Sequence, residues 1–90
     1  MAVTVRIPTT MRPLAGGATT IDVEAGTLAD VISALEAGHP GFAERLLDDG
    51  ALRRFVNVFV DDDDVRYLDG LDTKVPDGQT ISIIPAVAGG

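Results

Sequence analysis

The chain has 90 residues, 46% of them hydrophobic and 4% aromatic, which predicts one folded domain with a core of Val, Ile, Leu and Ala. Fourteen acidic residues against seven basic ones give a net charge of −7. That balance argues against nucleic acid and anionic membranes, and favours a protein partner with a basic docking surface. With no cysteine, the chain can form no disulfide framework, thiolate zinc site or iron–sulfur cluster.

Met1 to Val5 has no basic segment leading into a long apolar run, and no stretch approaches the length of a membrane span. A soluble, cytoplasmic protein is expected. Val3, Val5 and Ile7 alternate with Thr4 and Arg6, which predicts a half-buried strand ended by Pro8. Thr9 to Gly17, with Pro13 and Gly16-Gly17, reads as a loop. Thr19 to Glu24 places Ile21 and Val23 on one face of a second strand, so the two strands form a hairpin with a long connection. Thr27 then has the character of a helix N-cap, with Asp30 favouring the dipole. Leu28, Val31, Ile32 and Leu35 recur at helical spacing, and Gly38 followed by Pro40 stops the helix. Phe42, Leu46 and Leu47 predict a second short helix or turn ending at Asp48-Asp49-Gly50.

Phe55 to Val60 reads as a strand whose Val56, Val58 and Val60 face the core. Asp61 to Asp64 forms a charged turn, Val65 to Leu68 a short edge strand, and Asp69-Gly70 and Pro76-Asp77-Gly78-Gln79 are turns. Thr80 to Pro85 is the last strand, with Ile81 and Ile83 inward. The order predicts an α+β fold in which one helix packs across a mixed sheet, with the first and last strands parallel neighbours.

Residues 1–85 are expected to form the domain and residues 86–90 a flexible tail. Ala86, Val87, Ala88, Gly89 and Gly90 are too small to pack much area, so the tail projects. Fully extended it reaches at most about 17 Å. Glycine lacks a Cβ, so Gly89 and Gly90 can pass through a channel too narrow for other residues, with Ala86, Val87 and Ala88 docking behind them in a partner. The Gly90 carboxylate is a poor acyl donor until it gains a leaving group. Adenylation by ATP would supply one, and attack by sulfide would give a thiocarboxylate, an anionic nucleophile near neutral pH.

Other constellations point to structure rather than chemistry. The Asp61–Asp64 run lacks the alternating ligands, turn glycine and closing Glu of a calcium loop. His39, between Gly38 and Pro40, is placed to favour a helix C-terminus. Gly16-Gly17 lacks the Gly-Lys-Ser/Thr ending of a phosphate loop, and Arg53-Arg54 reads as surface charge with partner contact a minor option. No metal-binding or intrinsic catalytic residue is expected.

Phe55-Val56-Asn57-Val58-Phe59-Val60, the Asp61–Val65 turn, Gly70-Leu71-Asp72-Thr73, Pro76-Asp77-Gly78 and the run from Ile83 to Gly90 resemble the MoaD/ThiS family of ubiquitin-like sulfur carriers. The resemblance implies a β-grasp fold, with a mixed sheet of four to five strands and one main helix packed across it. Ile7 to Pro13 with Gly16-Gly17, Glu44-Arg45-Leu46, Arg54 to Asn57 and Pro85 to Gly90 are similar to the actinobacterial members that serve cysteine biosynthesis. That likeness implies a protein co-substrate, not an enzyme. An E1-like adenylyltransferase/sulfurtransferase would adenylate Gly90 with ATP and add sulfur. A pyridoxal-phosphate cysteine synthase would use the thiocarboxylate against an aminoacrylate made from O-phosphoserine. A zinc-dependent peptidase would then release cysteine from Gly90. ATP, pyridoxal phosphate and zinc belong to these partners, and no cofactor is expected on the chain itself. The family leaves open the small subunit of molybdopterin synthase and a thiamine-pathway carrier, and the same fold leaves open a ubiquitin-like modifier or plain interaction module.

Overall fold

Strand β1 (Ala2–Arg6) opens the domain because its alternation sends Val3 and Val5 wholly inside, with Ile7 buried just beyond. The computed structural model describes residues 2–85; Met1 and the expected tail Ala86, Val87, Ala88, Gly89 and Gly90 lie outside the described residues. The segment expected as a loop is instead a 3-10 helix, Thr9–Ala15. Its Met11 and Ala15 are buried four residues apart, and Pro13 has a φ already set for helical backbone. Gly16, at φ 64°, stops it in the left-handed region that a side chain disfavours.

Strand β2 (Thr20–Glu24) returns antiparallel to β1, from Ala2 opposite Glu24 to Arg6 opposite Thr20. After the two-residue strand β3 (Gly26–Thr27), helix α1 (Leu28–Gly38) begins with a reciprocal cap. The Asp30 N–H donates to Thr27 Oγ1 at 3.2 Å, and the Thr27 N–H donates to Asp30 Oδ2 at 3.0 Å. Gly26 makes room for this cap, since a Cβ there would stand 2.8 Å from Asp30 Oδ2. The helix buries Leu28, Val31, Ile32 and Leu35 and ends at Gly38, with His39 as its C-cap. Glu36 then accepts the N–H groups of Gly41 and Ala43 at 3.0 and 2.9 Å, which starts α2 (Phe42–Leu46) and sinks Phe42 and Leu46 completely. Strands β4 (Leu47–Asp48) and β5 (Ala51–Leu52) form a tight hairpin. Its turn residues Asp49 and Gly50 both have positive φ, the pairing that an Asp-Gly turn supplies.

Strand β6 (Val56–Val60) buries its three valines, as expected. The edge strand expected at Val65 to Leu68 falls earlier, at β7 (Asp63–Asp64), and Val65–Tyr67 is a 3-10 turn. The reason is local: the Asp64 carboxylate accepts the Arg66 N–H at 2.9 Å and caps that turn, so the backbone leaves the sheet. A further 3-10 turn, Gly70–Asp72, leads to β8 (Lys74–Val75), which pairs with β3, and β9 (Thr80–Pro85) closes the domain.

The main sheet runs β2-β1-β9-β6-β7, with β1 and β9 parallel and the other neighbours antiparallel. Helix α1 covers the face carrying Val5, Val58, Ile81 and Ile83. This is the mixed five-stranded sheet and single main helix of the β-grasp. Among the described residues no helix is long and apolar enough to cross a membrane.

Two substitutions test this packing by urea unfolding. Thr27→Ala is expected to cost about 1 kcal/mol through loss of the cap. Leu35→Ala is expected to cost about 2–5 kcal/mol through the cavity it leaves. Equal losses from both would contradict the division between a surface cap and a core anchor.

Candidate functional site

The last described residues give the site its geometry. In β9, Ile81 and Ile83 are buried, whereas Ile84 is 50% exposed. Successive residues of a strand face opposite sides, so the same alternation that anchors the strand turns Ile84 outward at its end. On one side β9 is paired with β6 as far as Val56 opposite Pro85. On the other, the pairing with β1 stops at Arg6 opposite Ser82, because the next residue to donate toward β9 would be Pro8, which has no N–H. Beyond that point a groove opens, with Arg6, Ile7, Pro8 and Arg12 facing Ile84 and Pro85. Arg12 is fixed there by its Nε donating to the Ile7 carbonyl at 3.2 Å.

The β6 side is held by Arg66. Its guanidinium donates to Asn57 Oδ1 at 2.6 Å, to the Val56 and Arg54 carbonyls at 2.8 Å each, and to the Arg53 carbonyl at 3.2 Å. Planar, forked donors suit such a cluster of oxygens, and the charge strengthens each bond. One side chain thus ties the segment before β6 to the part of β6 that pairs with Pro85. No sequence signal marks Arg66 for this role, since its acceptors lie nine to thirteen residues upstream.

Gly90, Gly89, Ala88, Val87 and Ala86 lie outside the described residues. What is placed is their root: Pro85, at the end of a strand clamped between two others. The remaining residues singled out in the sequence are structural. Asp61 has φ 53° in the β6–β7 turn, and its Oδ1 accepts the Thr80 N–H at 3.1 Å. His39 meets Phe42 edge to face, with ring centroids 6.3 Å apart. Gly17 donates its N–H to the Arg12 carbonyl and ends the first 3-10 helix. Arg53 donates from Nε to the Glu44 carbonyl at 3.0 Å, which ties the strand entry to α2. Among the described residues no group of three or more His, Cys, Asp or Glu could hold a metal ion.

Comparison with known proteins places this geometry among relatives. The model of the ThiS family matches residues 5–90. The sulfur carrier protein CysO of Mycobacterium tuberculosis is 50% identical over 93 residues, which span 100% of both chains. A chain in the crystal structure of the Amycolatopsis orientalis BexX/CysO complex superposes with a TM-score of 0.94 at 45% identity, covering 99% of this chain and 100% of that one. Small archaeal modifier protein 3 of Haloferax volcanii is 44% identical over 64 residues, 71% of this chain and 70% of that one.

Removing the Arg66 clasp tests the geometry of the root. Arg66→Ala is expected to speed amide hydrogen exchange through Val56 to Val58 while exchange in α1 stays as in the parent. Arg66→Lys, a single-point donor, is expected to restore only part of the protection. Uniformly faster exchange across the domain would show that Arg66 supports global stability instead.

Proposed function

We propose that this chain, which belongs to the ThiS family, is a sulfur carrier whose Gly90 carboxylate is the group that is activated and loaded. The observation that carries the reading is the likeness to a sulfur carrier at 50% identity over the whole length of both chains, with the family match running to residue 90. The root geometry supports it. A strand gripped on both sides and ending at Pro85 gives a tail a fixed origin.

The chemistry proceeds in two displacements, the first at phosphorus and the second at the acyl carbon. A Gly90 carboxylate oxygen attacks the α-phosphorus of ATP and pyrophosphate leaves, giving an acyl adenylate. Hydrosulfide then attacks the acyl carbon, AMP leaves with its oxygen, a proton is released, and the product is the thiocarboxylate. Both steps occur in the cleft of an E1-like partner, which supplies the ATP site. The chain itself contributes the unhindered nucleophile, the two small residues that fit a narrow channel, and the domain the partner holds. Cysteine synthesis is the sulfur's destination in this reading. A pyridoxal-phosphate cysteine synthase receives the thiocarboxylate, and a zinc-dependent peptidase frees the amino acid from Gly90. The match to an archaeal modifier favours a second use of the same activated terminus, transfer to the lysine of another protein. Lysine-linked conjugates on a blot would mark that use.

Incubation with ATP, sulfide and the E1-like enzyme of the same organism is expected to exchange one oxygen for sulfur in the intact mass. Deleting Gly90, or changing Gly90→Ala, is expected to reduce that conversion at least about tenfold while stability stays within about 0.5 kcal/mol, as for surface changes. Unimpaired conversion of the deletion variant would refute the assignment.

A further inference from the structure

We propose that the groove along the outer flank of α1 is a docking site for a basic amphipathic helix of another protein. It lies on the helix side of the sheet, whereas Ser82 and Ile84 of β9 look out of the opposite face, so the proposal stands apart from the carrier reading. Helix α1 turns Leu28, Val31, Ile32 and Leu35 to the core. Ala29, Ser33 and Ala37 recur every fourth residue and so form one row along its flank. Facing that row are Ala43 of α2, Leu47 and Gly50 of the β4–β5 hairpin, and Leu71 of the 3-10 turn Gly70–Asp72, which packs against both α1 and β5. Small side chains on both walls leave a groove of about 480 Å³. Ala43, Leu47 and Leu71 pack on the core but are only half-buried, and their remaining surface lines the groove.

Charge fixes the sign of the occupant. Among the lining residues and their immediate neighbours in the chain are six acids, Asp30, Glu36, Glu44, Asp48, Asp49 and Asp72, and no Lys or Arg. The whole chain has seven basic residues to fourteen acidic ones, so this rim is more acidic than composition requires. Two nearby cations do not reverse it. Arg53 is tied by Nε to the Glu44 carbonyl at 3.0 Å, and Arg45, two residues on from Ala43, lies about 200° round α2 from the groove. Glu36 is held at the wall, its Oε1 accepting the Gly41 and Ala43 N–H groups. Shape fixes the occupant's fold. The long wall is a helix, whose backbone groups bond within it, so an extended strand finds no free edge there. Side chains have to fill the space, and a row of small residues lets a second helix lie close. Ala29 to Ala37 spans about 12 Å, room for apolar side chains at i, i+3, i+4 and i+7, with Lys or Arg beside them over the acids. A second copy does not fit this description. Helix α1 has no basic residue, α2 has one, and the 3-10 helix with Arg12 keeps Met11 and Ala15 in its own core. Nucleic acid and anionic lipid are repelled by the same acids.

The probe is a synthetic peptide of about 15 residues with Leu at i, i+3, i+4 and i+7 and Lys at the flanking positions. It is titrated into the isotope-labelled full chain and followed by backbone amide shifts. Saturable shifts are expected at Ala29, Ser33, Ala37, Ala43 and Leu71, with β9 unmoved. A scrambled peptide of the same composition, and one with Glu in place of Lys, are each expected to bind at least about tenfold more weakly. Ser33→Lys/Ala37→Lys, at two exposed helix positions, is expected to raise the Kd at least about tenfold by filling the groove with cations. Asp48→Lys/Asp72→Lys is expected to raise it at low salt, with the difference shrinking at high salt. Asp62→Lys/Asp77→Lys, elsewhere on the surface, is expected to leave it within about twofold. Equal binding of the striped and scrambled peptides would reduce the effect to bulk charge and overturn the proposal. So would no binding, shifts centred on β9, or a Kd indifferent to Ser33→Lys/Ala37→Lys. The peptide comparison uses the unaltered chain, so it decides the matter even where a variant loses stability.

Discussion

The structure depends on the central position of β9. It is the middle strand of the main sheet, paired parallel with β1 on one side and antiparallel with β6 on the other. Its Ile81 and Ile83 are buried under α1 together with Val5 and Val58. Burying each such side chain is worth about 1.5–3 kcal/mol, so the strand cannot leave the sheet without unfolding the domain. Each face of β9 has a separate duty. The inward residues hold the strand, and the outward ones, Ser82 and Ile84, form a surface beside the root. A group attached beyond Pro85 inherits a fixed origin from the core.

In the proposed reading, that separation lets the chemistry be moved from one enzyme to another. Chemistry carried at a terminus places no demand on the interior, which contains no metal-ligand cluster among the described residues and one buried polar side chain, Thr73. Thr73 is satisfied locally, its Oγ1 accepting the Asp69 N–H at 3.0 Å. Specificity then has to come from the surface around the root. The groove with Arg6 and Arg12 on one side and the Arg66 clasp on the other are what the fold builds there.

Much of this was legible in the sequence because it is local. The alternation of Val3, Val5 and Ile7, the 3.6-residue period of Leu28, Val31, Ile32 and Leu35, and the Thr27 cap each appear within a few neighbouring residues. What was not legible depends on partners elsewhere. The β3–β8 pair is two residues long on each strand, and Gly26 and Val75 meet only through the finished fold. The Thr9–Ala15 segment looked like a loop because Pro13 and two glycines outweighed Met11 and Ala15, whose spacing only shows as helical once both are inside. Val65 to Leu68 looked like a strand until the Asp64 cap bent it. At the site, Arg66 was not legible, because its value lies in oxygens that folding brings to it.

The central claim is that the sulfur travels on the final glycine of a domain that is otherwise inert. Its most direct test is tandem mass spectrometry of the chain isolated from its own cells under sulfur-replete growth. The account predicts that a sulfur-for-oxygen exchange or a cysteinyl adduct maps to the fragment ending in Gly90, with every fragment up to Pro85 unmodified. An adduct on the folded domain, with an unchanged terminal fragment, would contradict it.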